Sequence, residues 1–267
     1  MKKRFLFLGS LVLLILVYIL LIINNGLEDY YLLLQLIFLA PLIVAILVGF
    51  LVVKEYSLKT THGKAFLLLT LGFLFFLAGE ITWVIFGEFL GIDPFPSIAD
   101  VFYLLAYPSL FIGLLIEIKD AKLDFNKKKI GMLLFSFVAL GVIFLNFTVL
   151  QQIESNLSFL DNLISALYGV GDIILVLMSL LLFLVIFEYR HGRIFRCWTW
   201  ILFNFLAMLA ADLIFAAFYE FYEVSILVTA VADILWMLSY GLFAIGMICS
   251  YSMLKEKRLE IKTKINK

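Results

Sequence analysis

Long runs of Leu, Ile, Val and Phe divide this chain into eight segments, each separated from the next by a short cluster of charged, Gly, Pro or Asn residues. The runs cover about Phe5–Ile23, Leu32–Val53, Ala65–Phe89, Asp100–Ile118, Ile130–Leu150, Leu163–Phe187, Trp198–Phe218 and Ile226–Leu254. Each is close to the roughly 20 apolar residues that carry a helix across a hydrocarbon layer. In lipid every backbone N–H and C=O must bond within its own segment, so helix is the expected form for all eight. The alternation of a membrane barrel is absent. The expected fold is all-α: a polytopic membrane bundle of eight transmembrane helices, forming one integral membrane domain over 1–267. Composition agrees, with 65% hydrophobic and 15% charged residues. A soluble domain holds about 45–50% apolar and about 25% charged residues.

The charges also set an orientation. Lys2, Lys3 and Arg4 precede the first run; Lys54, Lys59 and Lys64 follow the second; Lys119, Lys122, Lys127, Lys128 and Lys129 follow the fourth. Arg190, Arg193 and Arg196 follow the sixth, and Lys255, Lys257, Arg258, Lys262, Lys264 and Lys267 follow the eighth. These are all 20 Lys and Arg residues, and they fall on alternate connections. The positive-inside rule then places both termini in the cytoplasm of a multi-pass cell-membrane protein. The "MKKR" start resembles a signal peptide. Its apolar run is too long, and no small-residue cleavage site precedes "NNGLEDYY", so a retained anchor is expected. Cys197 and Cys249 fall near cytoplasmic helix ends, where no disulfide is expected, and no metal-binding cysteine spacing exists. His62 and His191 read as residues of cytoplasmic loops. The tail "KEKRLEIKTKINK" reads as a fraying helix end whose cations fix topology beside lipid head groups.

An internal repeat emerges from the polar positions. "ADVFYLLAYPSLFIG" (99–113) aligns with "ADILWMLSYGLFAIG" (232–246), and "LAGEITWVIF" (77–86) with "LAADLIFAAF" (209–218). Four spans per half preserve orientation, so two parallel four-helix repeats are expected, about 1–118 and about 130–254, followed by the tail 255–267.

Five carboxylates lie within or at the head of the runs: Glu80, Asp100, Asp172, Asp212 and Asp233. An Asp at a helix centre costs about 2.5–3.5 kcal/mol on insertion scales and normally faces the bundle interior. With the orientation above, all five fall in the outer half of the membrane. Asp100, Tyr103 and Tyr107 occupy one helical stripe, and Asp233, Trp236 and Tyr240 repeat it. Glu80 and Trp83 are three apart, as are Asp212 and Phe215, and Tyr168 precedes Asp172 by four. No Lys or Arg lies inside any run to neutralise these acids. They are therefore expected either to carry protons and donate to Tyr oxygens, or to hold a bound cation assisted by aromatic faces. Interhelical hydrogen bonding alone is a competing role for such acids. Asp100, after "PFPS", also suits a helix cap. The expected ligand-binding set is Glu80, Trp83, Asp100, Tyr103, Tyr107, Asp172, Asp212, Asp233, Trp236 and Tyr240.

Other chemistry finds little support. "GVGD" (169–172) matches the GxGD signature of intramembrane aspartyl proteases, which resemble presenilin and signal peptide peptidase. Those families pair it with an aspartate from an earlier span and carry a Pro-Ala-Leu motif that is missing here. Histidines outside the runs exclude axial haem ligation within the bundle, and the lack of a buried Lys excludes a retinal Schiff base. No cofactor, metal or nucleic acid is expected.

The combination "GEITW…PSIADVFYLLAYP…YGVGDIILVL…AADLIF…ADILWMLSYGL" resembles the eight-span membrane regions at the N-termini of some prokaryotic signalling proteins. In those relatives the region precedes diguanylate cyclase or histidine kinase domains. The likeness runs from about Gly79 onward, and the sequence ends at Lys267 without an output domain. It implies a sensor or binding protein for a small cationic, protonatable or lipidic ligand, read by a separate signalling protein. A fainter likeness is to lysoplasmalogenase-like membrane proteins. It implies a membrane hydrolase with Glu80 and Asp212 as paired acids, which is the leading enzyme alternative.

Overall fold

The computed structural model describes residues 2–25, 31–121, 127–144, 158–187, 192–222 and 224–265. Among these residues the chain is helical, with no strand. Eight α-helices follow one another: α1 (Lys2–Asn25), α2 (Tyr31–Tyr56), α3 (Thr61–Val84), α4 (Ile98–Asp120), α5 (Lys127–Phe144), α6 (Phe159–Ile186), α7 (Arg193–Ala217) and α8 (Ile226–Ile265). Seven of them, all but α5, are long and apolar enough to cross a membrane. The fifth expected span, Ile130–Leu150, passes out of the described residues at 145. His191 also lies outside them.

Polar residues fix where the helices begin. Thr60 caps α3 by accepting the Gly63 N–H at 3.0 Å. Ser97 and Asp100 form a reciprocal capping box on α4, and Ser158 and Asp161 form another on α6, each satisfying N–H groups that a helix start leaves unpaired. The end of α3 widens into one π-helical turn, Ile85–Phe89. At the other extreme α8 is unbroken over 40 residues. The polar stretch beyond Leu254 continues the helix to Ile265.

The closest packing pairs α3 with α4 and α7 with α8, while α2 lies against α8 and α6 against α4. A Cβ on Gly72 would stand 2.5 Å from Leu110, and one on Gly113 would stand 3.0 Å from the Ala65 carbonyl. Glycines therefore let α3 and α4 approach closely, as small residues do between membrane helices. Between α3 and α8, Phe73 stacks on Phe243 with ring centroids 3.6 Å apart.

The two ends of the bundle differ. One end carries the α3–α4 and α7–α8 connections. The other carries the cations, where Arg258 pairs with Glu55 at 3.2 Å and Arg193 pairs with Glu256. His62 is not a loop residue. It sits in the first turn of α3 with Nδ1 3.0 Å from Glu117 and Nε2 3.5 Å from Asp120. Glu117 is a further buried acid, at the opposite end of α4 from Asp100. The expectation of two free thiols is also corrected. Cys197 in α7 and Cys249 in α8 are joined in a disulfide, because the tight antiparallel packing of these helices brings their Cα atoms to 5.3 Å, within the usual span of such a bond.

Candidate functional site

A cavity of about 100 Å³ lies at the end of the bundle opposite the cations. Each of the ten residues singled out from the sequence lines it: Glu80 and Trp83 from α3, Asp100, Tyr103 and Tyr107 from α4, Asp172 from α6, Asp212 from α7, and Asp233, Trp236 and Tyr240 from α8. Gln35 and Phe38 of α2, Tyr168 of α6, Phe215 of α7 and Tyr222 of the α7–α8 connection complete much of the wall. No Lys, Arg or His is among the described residues that line it.

Aromatic donors reach every acid. The Tyr240 hydroxyl donates to Glu80 at 2.9 Å, and Tyr103 is also within hydrogen-bonding reach of that carboxyl. The Trp236 indole N–H donates to Asp212 at 2.7 Å. Tyr107 donates to Asp172 at 2.9 Å. Asp233 accepts from Tyr222 at 2.8 Å and from Tyr18 of α1. Asp100 accepts from Tyr168 through one oxygen, and through the other from its own capping partner, the Ser97 N–H, at 2.7 Å. Asp100 is therefore both a helix cap and part of the cavity wall.

These bonds join separate helices, so the acids do bind the bundle together. They leave one position open. Asp172 is 2% exposed, and its Oδ2 receives no donor. The carboxyl of Asp212 lies within hydrogen-bonding range of Asp172. Two carboxylates offer each other only lone pairs, so this contact is a hydrogen bond only when one of them carries a proton.

Glycines bring the aromatic donors in. A Cβ on Gly171 would fall 2.4 Å from the Tyr107 ring, and one on Gly79 would fall 2.5 Å from the Tyr103 ring. The first G of "GVGD", Gly169, lines the cavity. The GxGD comparison fails in a specific way. The acid that faces Asp172 comes from α7, later in the chain, whereas the earlier acid Asp100 is held by Tyr168.

The cavity is roofed by the two connections. Phe95, 7% exposed, sits with its ring 5.3 Å from Tyr219 and 6.4 Å from Phe215. The Tyr219 hydroxyl reaches Asp93 at 3.4 Å.

Several contributors escaped the sequence reading, among them Tyr18, Gln35 and Tyr222. Tyr18 is the one aromatic hydroxyl in the apolar run of α1, and Gln35 is the one amide in that of α2. Either could have been found by asking which polar side chain interrupts an otherwise aliphatic span. Tyr222, in a connection, carried no such signal. Among the described residues, no three His, Cys, Asp or Glu side chains gather as a metal site. No family model, curated protein or solved structure matches the chain.

Proposed function

We propose that this is a non-enzymatic binding protein of the cell membrane, a sensor that takes a small cationic or protonatable ligand into the cavity of acids and aromatic rings. The observation that carries the reading is the cavity wall itself, with five carboxylates and no cationic side chain among its described lining residues, one of the acids, Asp172, keeping a buried oxygen without a donor. A positive guest supplies what the wall lacks, and the rings of Trp83, Tyr107 and Trp236 favour it further through cation–π attraction. Volume narrows the ligand class. Drug-sized ligands occupy pockets of roughly 300–1,000 Å³, and this cavity, at about 100 Å³, is well below that range. That favours a small ammonium over a whole lipid, which could insert only part of a head group.

The wider architecture belongs to the same proposal. Eight spans, cytoplasmic termini and an outward-facing cavity follow from the alternation of Lys and Arg along the chain. Two parallel repeats belong to the same proposal: they would make the packing of α3 on α4 and that of α7 on α8 equivalent. A separate signalling protein would read the bundle, as the likeness to eight-span sensory regions implies.

A membrane hydrolase is the second reading, and the contact between Asp172 and Asp212 favours it specifically. One protonated and one ionised carboxyl can act as general acid and general base. The pair in question is then Asp172 with Asp212, rather than Glu80 with Asp212.

Thermal unfolding of the purified protein in lipid nanodiscs separates the readings. A ligand at 100 times its Kd stabilises by about 2.7 kcal/mol. Methylammonium is expected to raise the melting temperature of the wild type but not of Glu80→Gln or Asp212→Asn. Turnover of lysolipid or of a transmembrane peptide, abolished in variants that still fold, would instead establish the hydrolase. Unchanged melting for all small cations, with both variants unfolded, would leave the acids as interhelical glue.

A further inference from the structure

We infer that the bundle also carries its guest across the membrane, as a uniporter of small organic cations whose path joins the acid cavity to a second cavity at the cation end. The inference rests on the binding reading above and adds an activity to it: what the first cavity takes up, the second releases.

Helix packing supplies the path. Each of α2, α3, α4, α6, α7 and α8 contacts the next, and α8 closes on α2, so six helices ring a common axis. α1 lies outside against α8 and α2, and α5 lies outside against α6. All six ring helices line the acid cavity. A second cavity, of about 200 Å³, is walled by four of the same helices, with His62 from α3, Glu117 and Asp120 from α4, Leu182 from α6 and Trp198 from α7. The His62 and Asp120 side chains are 42% and 47% exposed, so this cavity meets water. Its two carboxylates outnumber its one imidazole, and it favours a cation in either charge state of His62. Each end of one helical ring thus holds an acid-lined chamber.

The two chambers keep a constant separation. Their facing edges are ten positions apart on three helices: Tyr107 and Glu117 on α4, Asp172 and Leu182 on α6, Met208 and Trp198 on α7. That is about 15 Å at 1.5 Å per residue, about half of the ~30 Å hydrocarbon layer. What fills the gap is apolar. Phe73 stacks on Phe243, Leu110 and Leu114 are fully buried, and Phe66 lies with its ring 5.9 Å from Trp198. The ring contacts cross from α3 to α8 and from α3 to α7, between the two tightest helix pairs, α3–α4 and α7–α8. Rocking one pair against the other parts these rings and passes the guest between chambers, the usual form of alternating access in membrane carriers. No covalent bond is made or broken, and one positive charge crosses for each cation moved.

Uptake into proteoliposomes of the full chain tests this. The probes are radiolabelled guanidinium and tetramethylammonium chlorides, permanent cations of different size with no neutral form to leak through lipid at neutral pH. A potassium gradient with valinomycin holds the interior ~100 mV negative, which should drive accumulation of up to about 50-fold over the bath. Glu117→Gln is expected to slow initial uptake about tenfold, the low end of what a cleft of one charge adds to local counter-ion concentration. It should keep the melting-temperature rise that the same ion gives the wild type, because it lies about 15 Å from the acid cavity. Asp120→Asn, at an exposed position, makes the same test should Glu117→Gln fail to fold. A melting rise without uptake, or uptake that neither substitution slows, would overturn the carrier and leave the binding reading intact. Absence of both melting rise and uptake with both ions would overturn the two together.

Discussion

Replacing Tyr107 by Phe removes one oxygen and keeps the ring, so it isolates the bond that holds Asp172. Tyr107 is buried, donates at 2.9 Å, and serves an acid whose other oxygen already has no donor. After the change Asp172 keeps only its contact with Asp212. A buried acceptor left without a partner costs about 1–3 kcal/mol in water-soluble proteins. Interhelical bonds in membranes average about 0.6 and reach about 1.7 kcal/mol. The residue's deep burial argues for the upper part of the membrane range, so about 1–2 kcal/mol is expected. For a chain of this size that lowers the melting temperature by about 2–8 °C. A double-mutant cycle with Asp172→Ala, which removes both oxygens, isolates the pair, and the expected coupling is about 1 kcal/mol. Melting of the four proteins in one lipid nanodisc preparation is the assay. Coupling below about 0.3 kcal/mol, within the error of additive sites, would mean that the two side chains do not hold each other and that the description of the cavity wall is wrong.

Three further outcomes follow from the same coordinates. Gly171→Ala drives a methyl to 2.4 Å from the Tyr107 ring and should cost about 1–3 kcal/mol as overpacking; Gly9→Ala, with no neighbour within 4 Å, should melt like the wild type, and equal melting of both variants would refute the close approach. His62→Ala leaves buried Glu117 without its ring partner, but the imidazole is 42% exposed, so solvent limits the loss to about 1 kcal/mol, and Glu117→Gln in the same background should restore part of it. Alkylation in denaturant without reductant should leave Cys197 and Cys249 unmodified in mass spectra, two adducts being the contrary result; their separation of 52 residues makes the cross-link worth at most about 4 kcal/mol through the unfolded chain.

Helix positions were legible because lipid leaves only one signal to read. A run of Leu and Phe fixes a span wherever it falls, and the first and last residues of α2, α4 and α7 lie within a few positions of the boundaries read from the runs. The stripes of acids and aromatics were legible for a related reason. In an otherwise aliphatic helix, Asp233, Trp236 and Tyr240 have only one interior to share. What stayed hidden depends on pairings between helices, which no single run encodes. Nothing in "GVGD" or in "LAADLIF" states that Asp172 would meet Asp212 rather than an acid of an earlier span. Nor did the spacing of Cys197 and Cys249 reveal that their helices would run side by side. Glu117 and His62 were passed over because each sits at a span end, where a charged residue normally faces water.

The unbroken course of α8 has a mechanical meaning. At 1.5 Å per residue, its 40 residues reach about 60 Å, roughly twice the ~30 Å hydrocarbon layer. Three residues of the cavity wall, Asp233, Trp236 and Tyr240, sit near one extremity of this rod, and the exposed stretch from Lys255 to Glu260 sits near the other. Under the proposed function, a tilt or slide imposed where a guest is gripped would be delivered, undamped by any hinge, to the polar stretch at the other end of the rod.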